Sequence, residues 1–358
     1  MKLSDRLDLW LLGPVVYLMA AGLLIIYSID QGLFIKQLIW VVLGLVLIFG
    51  FYYLNLRAFL SYQWVILAIY ALIVLLLLVT YFMATPIAGT RSWIILGPAQ
   101  IQSSEFMKAA LVILFSRFFA SRHISIANTR TIAISFIYVL IPIVLILIQP
   151  DLGTALVVFG IWFGYLLVSE MPLRQTLGFI GLFLIILTLA WNFGLADYQK
   201  ERVLGLFDET RDPLGVNYSV IQSKIAIGSA GLFGKGFGQG TQVQLGFLPA
   251  AHTDFVFPAF IEEWGILGGI TIILALFMLI VRIAFIGEGQ SNNFYKFIAL
   301  GTVIVILLHV IMNLGSALGL FPVVGVSLPF VSYGGSNLLT LAVLIGIIHN
   351  IAGRRAGF

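Results

Sequence analysis

Four groups of ionisable residues stand where an apolar chain would ordinarily tolerate none. His252-Thr253-Asp254 runs directly into Phe255-Val256-Phe257, which places a carboxylate at the mouth of a hydrophobic helix. Desolvation there raises a carboxyl pKa and cationic neighbours lower it, which is how a general base is tuned. Glu105 and Lys108 are three residues apart at the start of another apolar run, on one helical face. Within lipid a lone lysine is costly, whereas a Glu–Lys pair is tolerable. The pair suits either a structural ion pair that joins helices, or a cation held ready for an anionic substrate and oriented by the glutamate. Asp151 follows Pro150 and precedes Leu152-Gly153-Thr154, where it could cap a helix by accepting from the first amides. Capping is compatible with shaping a cavity. Arg91 and Trp93 lie in Gly89–Pro98, too short and broken to span a bilayer and therefore expected in the interface. Both are ordinary interfacial anchors, and an arginine there could equally grip a lipid phosphate through two parallel hydrogen bonds.

The elements that must position these side chains are membrane helices. With 61% hydrophobic residues, 9% charged and a mean hydropathy of +1.10, the chain cannot be a soluble globular domain. Apolar runs of about 20 residues, enough to cross roughly 30 Å of hydrocarbon, recur along the whole length. Ten spans are expected, near 9–28, 34–54, 62–83, 104–121, 132–149, 153–169, 174–195, 254–285, 294–318 and 333–352. The first run has the look of a span rather than a cleavable signal peptide. No internal repeat or low-complexity tract interrupts the pattern, so residues 1–358 read as a single, all-α polytopic membrane domain. Ten crossings place both termini on one side. Short connections and tails on that side hold Lys2, Arg6, Arg57, Arg117, Arg122, Arg130, Arg174, Arg282, Lys296, Arg354 and Arg355, against little beyond Lys36 and Arg91 opposite. The positive-inside rule then puts both termini in the cytoplasm. By that parity the loop at 84–103, the break at Pro150-Asp151, the long loop at 196–253 between helices 7 and 8, and the loop at 319–332 share the outer face.

The polar block from Asp197 to Asp254 holds five basic residues and six acids. Within it, Tyr218–Ala230 has helical apolar spacing and is expected on the outer surface. Gly231–Gly240 is glycine-rich but follows no strand and opens no obvious helix, so it reads as a flexible lid-like loop rather than a phosphate cradle. Glu262 and Glu263 cannot share one helical face, so at least one needs a partner or a polar cavity; both read as structural. His252, His309 and His349 fall on different spans without metal-ligand spacing, so no metal site is expected. Zero cysteines exclude disulfides and thiol catalysis. No basic patch alternates with exposed aromatics, so no nucleic-acid partner is expected. Pro322–Ser336 is too rich in Pro and Gly for a regular helix, and such backbone at membrane depth is tolerated only where protein or a cavity surrounds it.

Taken together, Gly89–Pro98, Gln102-Ser103-Ser104-Glu105 with Lys108, Pro150–Thr154, His252–Phe255 and Pro322–Ser336 resemble the motifs of the SEDS family (shape, elongation, division and sporulation proteins). The match covers essentially the whole chain. Arg211–Gly215, Gln222–Gly228 and Gly240-Thr241-Gln242 resemble the RodA-like elongation branch rather than the division branch. Ser103 stands where the family usually has proline, and so does Ser327; both bear on local helix geometry more than on chemistry. The resemblance implies ten helices and a peptidoglycan glycosyltransferase polymerising lipid II on the outer face of the bacterial cytoplasmic membrane. It also implies a class B penicillin-binding protein as crosslinking partner, alongside other elongation-complex membrane proteins. Carried over by motif, Asp254 is the essential aspartate, and Glu105, Lys108 and Asp151 are functionally sensitive charges. Arg91, His252, Thr253 and Ser332 complete the expected substrate-binding set.

Such a reaction has a definite electrostatic demand. The donor leaves as a polyprenyl pyrophosphate, so negative charge builds on that group, and fixed cations in a water-poor cleft stabilise it. Arg91 and Lys108 are the candidates. The acceptor 4-hydroxyl of an N-acetylglucosamine must lose a proton as it attacks, and Asp254 would take it. Inversion needs one base and an assisted leaving group, not the carboxylate pair of retaining glycosidases. No cofactor is required, although a divalent cation, Mg or Mn, could share the charge neutralisation. Two rival readings are a lipid II flippase, which should carry its charges near the midplane and often show repeated halves, and a non-catalytic scaffold, which should tolerate loss of Asp254.

Overall fold

The computed structural model describes residues 8–54, 56–84, 90–97, 99–121, 129–169, 172–194, 196–208, 211–215 and 217–353. The chain begins with α1 (Leu9–Ile29) and α2 (Gln31–Tyr53), a short α3 (Leu56–Ser61) and α4 (Gln63–Met83). Strands β1 (Trp93–Leu96) and β2 (Ala99–Gln102) form an antiparallel hairpin that leads straight into α5 (Ser103–Ala120). Then come α6 (Thr129–Ile148), α7 (Leu152–Val168) and α8 (Leu173–Leu189), the last extended by a π-helical turn at Ala190–Gly194. The polar block folds as α9 (Asp197–Leu204), α10 (Tyr218–Ser229) and a single turn, α11 (Thr241–Gln244). Three long helices close the chain, α12 (Val256–Glu288), α13 (Asn293–Ala317) and α14 (Gly335–Gly353).

Helix after helix falls within a few residues of the ranges read from hydropathy, because lipid thickness and apolar runs set both. Among the described residues, seven are long and apolar enough to cross a membrane, while α7 is apolar but shorter. The hairpin departs from the all-helical reading, in the stretch expected at the interface. Lys2, Arg6, Arg122, Arg354 and Arg355 of the expected inner cations, and Gly89 and Pro98 of the interfacial stretch, lie outside the described residues.

Short polar residues punctuate the helices as their chemistry dictates. Asp30 closes α1 and opens α2, its Oδ1 accepting from Gly32 N at 2.6 Å and Leu33 N at 3.0 Å. Asp8 caps α1 through Leu11 N and receives Arg282 from α12 at 2.7 Å. Helix α5 is buried on almost every side and packs against α4, α7, α13 and α14, so its few polar groups have protein rather than lipid around them. By contrast, among the described residues α8 makes its substantial contacts only with the π-helical turn that follows it.

The first nine residues of α12 are set off by a break at Gly265 (φ 77°, ψ 177°). Breaking a helix there frees the carbonyls of Glu262 and Glu263 and the amides of Ile266 and Leu267. The glycine-rich segment supplies all four missing partners. Lys235 N and Gly236 N donate to Glu262 O (2.9 Å) and Glu263 O (3.1 Å), and Ile266 N and Leu267 N donate to Gly231 O (3.0 Å) and Leu232 O (3.2 Å). The glutamate side chains extend the clamp. The Glu262 carboxylate accepts from Lys235 Nζ at 2.7 Å, Gln242 N at 2.9 Å and Val243 N at 3.2 Å, and Glu263 accepts from Ser28 Oγ and Gln244 Nε2. The expectation of a lid-like loop at 231–240 is therefore corrected: this segment is docked, and its glycines let one backbone lie against another. The structural reading of Glu262 and Glu263 holds.

A Cβ on Gly265 would sit 2.2 Å from Leu232 O and 2.4 Å from Gly234 N, at a φ that disfavours L side chains. Gly265→Ala is therefore expected to expel the loop and expose it. Limited proteolysis should cut the variant within 231–240 at least tenfold faster than the parent, a rate difference of about 1.4 kcal/mol in local opening. Unchanged cutting would mean that the dock tolerates a side chain.

Candidate active site

Asp254 lies in the turn that precedes α12, half-buried. The turn is built around Ala250, whose φ of 49° is left-handed and whose carbonyl accepts from Thr253 N at 3.0 Å and Phe255 N at 3.2 Å. Asn313, in α13, donates one amide to Asp254 O at 3.0 Å and to Val326 O at 2.8 Å. Ser332 Oγ donates to Thr253 O at 2.7 Å while accepting from Leu328 N at 2.8 Å, and Tyr333 N donates to His252 O at 2.8 Å. The backbone of 252–254 is thus fixed by Asn313 and by Ser332-Tyr333, yet among the described residues nothing donates a hydrogen bond to the Asp254 carboxylate. Burial pushes its pKa up to about 6, against the opposing field of Arg202 from α9. His252, edge-on to the Tyr333 ring at 5.8 Å, is held below the ordinary imidazole range by burial, with Asp30 acting the other way.

The irregular stretch 322–334 ties this turn to the other charges. Lys108, only 2% exposed, donates to Glu105 Oε1 at 2.7 Å and lies 2.8 Å from His309 Nε2. His309 Nδ1 is 2.9 Å from Ser327 O, and a carbonyl can only accept, so the proton sits on Nδ1 and Nε2 is left to accept from the lysine. Asn337 of α14 donates to Glu105 Oε2 at 2.8 Å. His309 and Asn313 are one turn apart on α13, about 6 Å along its axis, and that turn links Lys108 to the Asp254 backbone. Asp151 caps α7 as expected, accepting from Thr154 N at 3.1 Å, Thr154 Oγ1 at 2.9 Å and Gln102 Nε2 at 2.7 Å. Burial raises its pKa, the Thr154 hydrogen bonds oppose this, and the charges of Glu105 and Lys108 both reach it. A Cβ on Gly153 would meet Val324 O at 1.9 Å, so the glycine is what lets α7 lie against the same stretch.

A family model described as "Cell cycle protein", for FtsW, RodA and SpoVE, matches residues 6–356. The chain belongs to this family. One curated relative, the peptidoglycan glycosyltransferase MrdB of Escherichia coli strain K12, is 40% identical over 264 residues, 74% of this chain and 71% of that protein. A solved structure described as "Structural coordination of polymerization and crosslinking by a peptidoglycan synthase complex" is 32% identical, with a TM-score of 0.82 over 98% of each chain. A crystal structure of the rod shape determining protein RodA of Thermus thermophilus is 28% identical, with a TM-score of 0.72 over 97% of this chain and 96% of that one. Fold and family therefore agree with the SEDS resemblance.

In this SEDS chain the structure sets Ser332 against the turn that holds His252, Thr253 and Asp254, and draws Glu105, Lys108 and Asp151 into a second cluster joined to it. Arg91 is not gathered in. Its side chain is exposed, and its one backbone bond runs from its N–H to Gln149 O at 3.2 Å. Arg202, which the sequence did not single out, acts by its charge on Asp254 while its Nη1 donates to Val323 O at 2.9 Å. Sequence reading also passed over His309, Asn313 and Asn337 as site residues. The available signal was three polar side chains in helices α13 and α14, two of them at i, i+4 spacing; polar groups inside membrane helices mark functional or interhelical contacts. Among the described residues no group of three or more His, Asp or Glu is placed to hold a metal ion.

Proposed function

We propose that this chain is a peptidoglycan glycosyltransferase of cell elongation that polymerises lipid II, with Asp254 as general base. The supporting observation is Asp254 itself: a carboxylate held by its backbone, desolvated, and accepting nothing from the described protein groups. The acceptor 4-hydroxyl oxygen bonds to the donor anomeric carbon as the bond from that carbon to the pyrophosphate breaks. The hydroxyl proton passes to Asp254, and the bonding pair leaves with the polyprenyl pyrophosphate. Arg202 and the buried Lys108 are the cations placed to stabilise the departing charge. Glu105, His309 and Asn337 hold Lys108; Asp151 fixes the start of α7; His252, Thr253 and Ser332 shape the acceptor side.

The chain is a single transmembrane domain with ten crossings and both termini in the cytoplasm, which sets Asp254 and residues 196–253 outside. A class B penicillin-binding protein is the partner this reading requires, in keeping with the peptidoglycan synthase complex, described as coordinating polymerization and crosslinking, one chain of which shares this fold. A divalent cation is not needed for the proton transfer. Were one bound with the pyrophosphate, one protein carboxylate would suffice, because magnesium keeps several waters and substrate oxygens.

Purified chain with its transpeptidase partner is expected to convert lipid II into a ladder of glycan strands on gels, without moving labelled lipid II between leaflets of a vesicle. Flipping without polymer would replace this reading with a transporter. Here the charged groups cluster around an irregular stretch at helix ends rather than at the midplane, which favours catalysis over transport.

A further inference from the structure

At the end of α12 remote from Asp254, the ends of α7 and α12 and the first three turns of α13 line an open cavity of about 500 Å³. That is within the range of ordinary small-ligand sites. Its polarity is graded. Glu288, Asn293 and Lys296 line it where α12 gives way to α13, and Phe297, Leu300 and Val303 line it further along α13. From Asn293 to Val303 the helix rises about 15 Å, half of a hydrocarbon core roughly 30 Å thick. The cavity therefore has the depth of one leaflet, polar at the headgroup level and apolar below. Among the described residues, α8 makes no substantial contact with α7, α12 or α13, the helices that line it. At its rim the Ser169 hydroxyl is buried without a hydrogen-bond partner.

We propose that this cavity binds one aminophospholipid of the leaflet opposite Asp254, with a phosphatidylethanolamine headgroup. The phosphate would lie against Lys296 Nζ, Asn293 Nδ2 and the positive end of the α13 dipole. The primary ammonium would donate to the Glu288 carboxylate, and an acyl chain would run past Leu300 and Val303. One acid and one base at the polar end match a zwitterion, whereas Glu288 repels a headgroup of net negative charge. A primary ammonium can hydrogen-bond that carboxylate, and a quaternary choline cannot; choline is held instead by aromatic cages.

The test is native mass spectrometry of the full chain purified in detergent, titrated with phosphatidylethanolamine, phosphatidylglycerol or phosphatidylcholine of one acyl composition. One phosphatidylethanolamine should be retained, about tenfold more readily than either alternative. Lys296→Glu should lower its retention at least tenfold, and Glu288→Gln should erase the headgroup preference while leaving weaker lipid binding. Val303→Trp, which fills the apolar end, should block all three lipids; thermal melts of each variant report whether it is folded. Stronger retention of phosphatidylglycerol, wild-type retention by folded Val303→Trp, or occupation by a second copy of the chain seen as a Lys296-dependent dimer would each overturn the proposal.

Discussion

Asp254→Asn, purified with its transpeptidase partner, is expected to make glycan from lipid II at a rate about a hundred- to ten-thousand-fold below the parent, the usual worth of a general base. The substitution preserves shape and the Asn313 contact to the backbone, so it removes the acceptor of the proton and little else. The pH profile is the second readout. Only the ionised carboxylate can take a proton, and the folded pKa is about 6, so the parent rate should climb as pH rises through 6 and level off above it. The variant should stay low throughout. Stability should move the other way. Because the folded pKa lies above the unfolded value of 3.8, the native state keeps a proton that the unfolded chain has released. Stability therefore falls as pH rises from about 4 to 6 and stays lowered beyond. Asparagine carries no such penalty, so the inactive variant should melt at or above the parent at pH 7.5. Polymerisation by Asp254→Asn at more than a tenth of the parent rate would remove the proposed base.

The second large effect belongs to Lys108. Substituting alanine leaves Glu105 buried among Asn337 and apolar neighbours without its cation. Breaking one side of a buried pair should cost about 3–5 kcal/mol, visible as a large drop in the denaturation midpoint. Replacing both members, Glu105→Gln with Lys108→Met, leaves no unpaired charge and should recover most of that loss, since exchanging a buried ion pair for neutral groups is often close to neutral. If Lys108 also stabilises the leaving pyrophosphate, the double variant will fold and bind its partner yet make little glycan. Parental synthesis by the folded double variant would reduce Lys108 to a weld between α5 and α13.

Much of this molecule was readable from local pattern. Apolar runs placed the helices, because every residue in hydrocarbon answers to the same lipid thickness and must satisfy its backbone within the helix. Asp254 at a polar–apolar boundary, Glu105 and Lys108 at i, i+3, and Asp151 ahead of Gly153-Thr154 are likewise short-range signals, and their geometry follows from one helix turn. What tertiary structure alone decided is who meets whom across the bundle. The four backbone bonds that fit residues 231–236 into the break at Gly265 join segments 27 or more residues apart. His309 reaches Lys108 across 201 residues, and Asn337 reaches Glu105 across 232. Such pairings leave no spacing in the chain.

That Arg202 rather than Arg91 acts on Asp254 has the same origin. Both are cations on the same polar side of the bundle, and composition cannot rank them; the packing of α9 against the carbonyl of Val323 does. Partition between lipid and water acts on each residue separately, so the order of residues determines where helices form. Convergence of charges on one turn depends on close packing between distant surfaces, and only the folded bundle supplies it.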